Sequence, residues 1–127
     1  MARILLIEPD QVLAKTYHLA LQQARHEVWH VASAQAAIDD TDALTPDIII
    51  LEPQLAGHNG VEFLYELRSY AEWQAMPVIL LSSLPPKAFQ VQLAAWDRLG
   101  VVAYYYKPQT TLAQLRTAVD EVLVIAT

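Results

Sequence analysis

The chain has 127 residues, a formal net charge of −6 and no cysteine. This is the length of one ordinary domain, large enough to bury a hydrophobic core without disulfides or structural metals. A hydrophobic content of 54% with 17% charged residues is too apolar for a disordered segment. The missing cysteines exclude thiol chemistry. The negative charge disfavours contact with phosphate backbones and anionic lipid, so we expect neither direct nucleic-acid binding nor membrane association.

The ends of the chain and its apolar runs bear on location and domain organisation. No uninterrupted apolar run reaches about 18 residues, the length of a membrane span. The opening MARILLI runs directly into a strand-like pattern instead of a secretory signal layout, so we expect a cytoplasmic protein. No linker or repeat divides the sequence. We therefore expect a single domain over residues 1–127, with no output domain visible after Val124.

Five apolar runs of strand length alternate with stretches of helical periodicity. The predicted strands are Arg3 to Ile7, Glu27 to Val31, Asp47 to Leu51, Pro77 to Leu81 and Val101 to Tyr106. The predicted helices are Asp10 to Arg25, Ser33 to Leu44, Gly60 to Tyr70, Lys87 to Leu99 and Thr111 to Val124. In the last helix, steps of three and four predict a buried stripe of Leu112, Leu115, Val119 and Val122.

The strand pattern predicts the fold class. The first, third and fourth strands are continuously apolar, as expected of strands buried on both faces of a parallel sheet. Right-handed crossovers then give an α/β fold with a five-stranded parallel doubly wound sheet, a flavodoxin-like (βα)5 three-layer sandwich. In such a fold the ligand crevice lies at the carboxyl ends of the strands. A functional site is therefore expected at those ends.

Polar side chains follow four of the five predicted strands. In chain order they are Glu8 and Asp10, Glu52, Ser82 and Ser83, and Lys107. Since the carboxyl ends of parallel strands converge, we expect carboxylates, a hydroxyl and one ammonium to face a common crevice. Each residue alone has an ordinary structural explanation, because helix caps favour Asp and Ser. The combination at four strand ends is what predicts a site.

With these motifs, the chain resembles the receiver domains of bacterial two-component response regulators. The resemblance runs through ILLIEPD, PDIIILEPQLAGHNGVEFL, MPVILLSS and GVVAYYYKP. It implies the doubly wound fold predicted above and a signalling role instead of enzymatic turnover. It also implies protein partners, namely a histidine kinase or a downstream regulator. A homodimer would use the face made by the fourth helix, the fifth strand and the fifth helix.

The resemblance also assigns roles to individual residues. Glu8 matches the first acidic position, Glu52 the phosphoacceptor, and Ser82 the hydroxyl that contacts the phosphoryl group. Lys107 matches the ammonium that also contacts the phosphoryl group, Tyr104 the aromatic switch residue, and Gly60 the glycine that opens the third helix. Ser82 and Tyr104 together would form the switch.

Three positions depart from the family pattern. Pro9 replaces the second acidic residue, Glu52 replaces an Asp, and Ala56 stands where a Pro is usual. Mg²⁺ demands near-octahedral oxygen ligation, and Pro9 has no side-chain oxygen to offer. We therefore expect no required cofactor and only weak Mg²⁺ binding, at Glu8 and Glu52. Asp10 either substitutes in the acidic pocket or caps the first helix.

The Glu at position 52 leaves three interpretations open. Its extra methylene carries the carboxylate outward by about 1.3 Å, so that it engages Ser82 or Lys107 permanently and mimics an acyl phosphate. Alternatively, it forms only a structural ion pair with Lys107, which gives a switch-dead interaction domain. In the third interpretation, Glu52 is itself phosphorylated with Mg²⁺, and the chain is a working receiver.

An aromatic run on the last strand suggests an interaction surface. Tyr104, Tyr105 and Tyr106, together with Trp96 on the preceding helix, would supply an amphipathic docking surface. The alternative is that alternate members pack under the last two helices. We expect core packing for Tyr105 and leave both alternatives open for Tyr104 and Tyr106.

Overall fold

The structure is a computed structural model that describes residues 2–55, 58–85, 87 and 93–126. Five parallel strands form one sheet, namely β1 (Arg3–Ile7), β2 (Glu27–Val31), β3 (Ile48–Leu51), β4 (Val78–Ser82) and β5 (Val101–Tyr106). Their spatial order is β2-β1-β3-β4-β5. The parallel pairing and this order confirm the predicted doubly wound sheet and place β5 at an edge.

In the part of the chain that the structure describes, five α-helices connect and follow the strands. They are α1 (Gln11–Gln23), α2 (Ala34–Leu44), α3 (Gly60–Arg68), α4 (Leu93–Arg98) and α5 (Leu112–Ala126). Residues 88–92 of the predicted fourth helix lie outside the described residues. Among the described residues, three small elements were not predicted: an antiparallel hairpin of Gln54–Leu55 with His58–Asn59, and 3-10 turns at Ala71–Trp73 and Lys107–Gln109. None of the helices described is both long and apolar enough to cross a bilayer.

The core lies on both faces of the sheet, which makes the molecule a three-layer sandwich. Strand residues such as Leu5 and Ile49 pack against α2, α3 and α4 on one face. Their neighbours Ile4 and Ile48 pack against α1 and α5 on the other. All four side chains are completely buried, and burial of each stabilises the fold by about 1.5–3 kcal/mol. This explains why the central strands are continuously apolar.

The structure decides between the two alternatives for Trp96 and corrects the expected burial of Leu112. Trp96 does not belong to an exposed docking surface, because α4 turns it toward the sheet, where it is 3% exposed and stacks on Tyr104 with ring centroids 5.6 Å apart. In α5, Leu115 and Val119 are buried and Val122 is partly buried, whereas Leu112, the first residue of the helix, is 38% exposed. Tyr105 packs against the α1 and α5 side, as expected.

Two local features shape the open end of the sheet. Asp10 is the N-cap of α1: its Oδ1 accepts hydrogen bonds from Val12 N at 2.9 Å and Leu13 N at 3.0 Å. Gly60 opens α3, and a Cβ at this position would lie 2.8 Å from Cα and Cβ of Pro53. Only glycine therefore allows α3 to begin so close to the end of β3.

The cap predicts a specific stability pattern at position 10. Asp10→Ala removes the acceptor for two amides and is expected to lower the free energy of unfolding by about 1 kcal/mol. Asp10→Ser keeps an acceptor oxygen and should retain most of that stability. Urea denaturation of the two variants and the natural chain measures the difference. Equal losses in both variants would show that the negative charge of Asp10, and not capping, is what matters.

Candidate functional site at the carboxyl ends of the strands

Three charged side chains meet where β1, β3 and β5 end. Lys107 Nζ lies 2.5 Å from Glu8 Oε1 and 2.9 Å from Glu52 Oε1. Glu8 and Glu52 are neighbours because β1 and β3 pair in parallel up to Ile7 and Leu51, the residues just before them. The side chains of Glu8, Glu52 and Lys107 are 2%, 4% and 9% exposed. The predicted convergence of these residues is therefore present.

The electrostatics of this group follow from one ammonium between two carboxylates. Burial alone lowers the pKa of a lysine, but the hydrogen bonds of Lys107 to Glu8 and Glu52 outweigh it and raise the pKa above the ordinary 10.5. Lys107 therefore stays charged at neutral pH. It is the cation that compensates both buried carboxylates.

Glu52 is also held by two backbone amides from different loops. Its Oε1 accepts a hydrogen bond from Ser83 N at 3.0 Å, in addition to the one from Lys107. Its Oε2 accepts from Gln54 N at 3.1 Å. Hydrogen bonds to a charged carboxylate are stronger than those between neutral groups. Both oxygens of Glu52 are thus fixed in place.

The structure does not bring Ser82 into contact with Glu52, although the sequence suggested this contact. Ser82 is fully buried at the end of β4, and its hydroxyl closes the following turn by accepting from Leu84 N at 3.1 Å. Ser83, the next residue, contacts Glu52 instead. Its amide donates to Glu52 Oε1, and its hydroxyl lies 3.3 Å from the same atom.

Tyr104 is half-buried and directed toward this turn. Its hydroxyl donates to Leu84 O at 2.6 Å, and its ring packs on Trp96. Burial raises the pKa of Tyr104 above the ordinary 10.0, and a hydrogen bond with Ser82 opposes the shift. The turn after β4 therefore contacts Glu52 through Ser83 and the hydroxyl of Tyr104 through Leu84.

The acidic pocket holds two carboxylates, and the residues present do not fit a complete magnesium site. Pro9 offers no side-chain oxygen. The carboxylate of Asp10 accepts the amides of α1 instead of facing the crevice, and its own N–H donates to Glu8 Oε2 at 3.1 Å. Within residues 2–55, 58–85, 87 and 93–126, no three His, Cys, Asp or Glu side chains form a group that could hold a metal ion.

The sequence did not identify Gln54 as a contact of Glu52, and it suggested Ser82 for the contact that Ser83 makes. The signal for Gln54 is its position two residues after a carboxylate, at the start of a turn, where an amide commonly folds back onto an acidic side chain. No periodicity distinguishes Ser82 from Ser83, because the turn after β4 decides which of the two faces Glu52.

Residues 4–120 match the family model of the response regulator receiver domain. The chain is 31% identical over 108 residues to the KDP operon transcriptional regulatory protein KdpE of Escherichia coli (strain K12), covering 85% of this chain and 45% of that protein. It is 30% identical over 106 residues to protein RcaC of Microchaete diplosiphon, covering 84% of this chain and 16% of that protein. The chain thus spans less than half the length of these relatives.

Solved structures share the fold over nearly the whole chain. A putative response regulator from Chloroflexus aurantiacus J-10-fl superposes with a TM-score of 0.84 at 23% identity, covering 97% of this chain and 98% of that one. The chemotaxis response regulator CheY4 of Vibrio cholerae gives a TM-score of 0.85 at 20% identity, covering 96% and 98%. With the family match over residues 4–120, the chain belongs to the response regulator receiver domains of two-component signalling.

Proposed function

We propose that this chain is an atypical receiver that acts through protein contacts, with the carboxylate of Glu52 standing permanently in place of an acyl phosphate. The observation that carries the proposal is the set of donors at Glu52 Oε1, which accepts from Lys107 Nζ at 2.9 Å and Ser83 N at 3.0 Å. An ammonium and an amide at the end of a strand are suitable donors for a phosphoryl oxygen. In this protein the carboxylate of Glu52 already accepts hydrogen bonds from both donors.

The same contacts argue against Glu52 as a nucleophile. Attack on a phosphodonor needs an accessible oxygen, together with cations that neutralise the charge of the transferred group. Glu52 is 4% exposed and both its oxygens accept hydrogen bonds. Lys107 is already shared with Glu8. The proposed receiver therefore requires no cofactor and binds Mg²⁺ weakly, through Glu8 and Glu52.

The position of Tyr104 supports an active-like state. In receivers the switch aromatic turns inward on activation, and Tyr104 donates to Leu84 O and stacks on Trp96. Glu52 biases this equilibrium only if it interacts differently with the two states of Tyr104. The proposal places that difference in the turn of Ser83 and Leu84. Partners, whether a histidine kinase, a downstream regulator or a second copy, would bind the face of α4, β5 and α5.

One observation favours a second candidate, a switch-dead interaction domain. The Ser82 hydroxyl binds Leu84 N and does not contact Glu52, so the movement of this hydroxyl toward a phosphoryl group is not reproduced. In that case Glu8, Glu52 and Lys107 only hold the crevice together. The two candidates differ in whether Tyr104 responds to Glu52. A third candidate, a receiver phosphorylated at Glu52 with Mg²⁺, differs from both in accepting phosphate.

The proposed function predicts that acetyl phosphate with Mg²⁺ leaves the mass of the natural chain unchanged. Titration of Mg²⁺, followed by tryptophan fluorescence and calorimetry, should give a dissociation constant above about 1 mM, because Pro9 removes a ligand. Pro9→Asp should bind the ion more tightly, and Glu52→Asp alone serves as its matched control. The double variant tests whether both changes restore phosphorylation. Phosphate on the natural chain would establish the working receiver instead.

The shared cation predicts a large stability effect at position 107. Lys107→Met leaves two neighbouring buried carboxylates without a counter-charge and is expected to cost about 3–5 kcal/mol at pH 8. Because the folded-state pKa of Lys107 is raised, its contribution is fully present below pH 10.5 and is lost as the pH rises through that folded-state pKa.

Urea denaturation at a series of pH values measures this effect. The difference between the natural chain and the Lys107→Met variant should narrow above pH 10.5, the ordinary lysine pKa. Using the difference removes the contribution of Tyr104, whose pKa is also raised by burial. Tyr17 does not cancel in this way, because the charge of Lys107 lowers its pKa against the effect of burial, and its ionisation is therefore followed separately by ultraviolet absorbance in both proteins. A variant as stable as the natural chain at pH 8 would mean that Lys107 does not stabilise the carboxylates.

A further inference from the structure

Gln54 and Ser83 approach Glu52 from two different loops. Gln54 follows β3 and starts the short hairpin, whereas Ser83 follows β4. Each donates its backbone N–H to a different oxygen of Glu52, at 3.1 Å and 3.0 Å. The carboxylate is therefore held between two loops that are not neighbours in the sequence.

The side chains of the same two residues meet in front of the carboxylate. Ser83 Oγ donates to Gln54 Oε1 at 2.9 Å. A hydroxyl has one proton to donate, and the distance from Ser83 Oγ to Glu52 Oε1 is longer, at 3.3 Å. The hydroxyl thus joins the two loops, while the two amides hold Glu52.

Glu52 and the two residues that contact it differ sharply in solvent exposure. Glu52 is 4% exposed although it lies at the open end of the sheet, whereas Gln54 and Ser83 are both exposed. The link between their side chains is therefore on the solvent side of the carboxylate. Removing the two side chains keeps both backbone amides and leaves the contacts of Lys107 in place.

We propose that Gln54 and Ser83 form a clasp, a pair of positioning residues that fixes Glu52 against Lys107 and shuts reagents and solvent away from its carboxylate. The clasp rests on the proposed function only in taking Glu52 as the central group of the site. It gives a physical reason why a phosphodonor would fail to reach Glu52, and this reason is separate from the loss of a metal ligand at Pro9. Residue types at positions 54 and 83 would then control access to this carboxylate.

Carboxyl labelling tests the clasp directly. The full chain is treated with a water-soluble carbodiimide and glycine ethyl ester, and labelling at each acidic residue is followed by peptide mass spectrometry. In the Gln54→Ala/Ser83→Ala variant we expect labelling of Glu52 to be about tenfold faster, which corresponds to about 1.4 kcal/mol of opening free energy. Since both positions are exposed, the variant should fold like the natural chain.

Three comparisons control this experiment. Ser83→Thr keeps the hydroxyl and should leave Glu52 as protected as in the natural chain. Asp97 is exposed and should be labelled equally in all variants, while Glu8 is 2% exposed and should stay protected. Unchanged labelling of Glu52 in the double variant would overturn the clasp. Parallel labelling of Glu8 and Glu52 would also overturn it, since protection would then belong to the fold as a whole.

The result separates the clasp from the proposed function. Labelling depends on access to Glu52 and not on the state of Tyr104. If Glu52 is no better labelled in the double variant but Tyr104 responds to the charge of Glu52, only the clasp fails. If labelling rises as expected but Tyr104 is indifferent to Glu52, the clasp stands and the phosphomimetic role fails.

Discussion

The ammonium of Lys107 is the cation on which the crevice depends. Parallel pairing of β1 and β3 forces Glu8 and Glu52 to end side by side, and burial makes two uncompensated carboxylates costly. Lys107 follows the edge strand β5, with β4 between it and β3. Its flexible four-carbon side chain spans that gap, and its charge satisfies both carboxylates. The strand order therefore brings Lys107 within reach of the two carboxylates that need its charge.

A carboxylate held in this way can influence the surface only through groups that touch it. The described contacts run from Glu52 Oε1 to Ser83 N, along the main chain to Leu84 O, and from there to the hydroxyl of Tyr104. The Ser82 hydroxyl accepts from Leu84 N and is hydrogen-bonded to Tyr104, but it makes no hydrogen bond to Glu52 and so does not begin this route. The proposed coupling is therefore carried by the backbone of the turn after β4. Trp96, stacked on Tyr104, would keep the ring inward.

Much of the fold could be predicted because burial on both faces of a parallel sheet leaves a plain pattern, as in Ile48–Leu51. The carboxyl-end rule then placed Glu8, Glu52 and Lys107 together without knowledge of any distance. Other features depend on turns, which periodicity does not determine. The turn after β4 selects Ser83 over Ser82, and the hairpin at Gln54 brings its amide back to Glu52.

The most direct test of the central claim compares Glu52→Gln with Glu8→Gln by NMR of the Tyr104 ring. Both changes remove one charge beside Lys107 and keep the side-chain length, but only Glu52 accepts the amide of Ser83. The phosphomimetic account predicts that Glu52→Gln shifts the Tyr104 resonances toward an outward ring, while Glu8→Gln leaves them close to those of the natural chain. If Tyr104 is unaltered by Glu52→Gln, the carboxylate is only a structural ion-pair member and the account is contradicted.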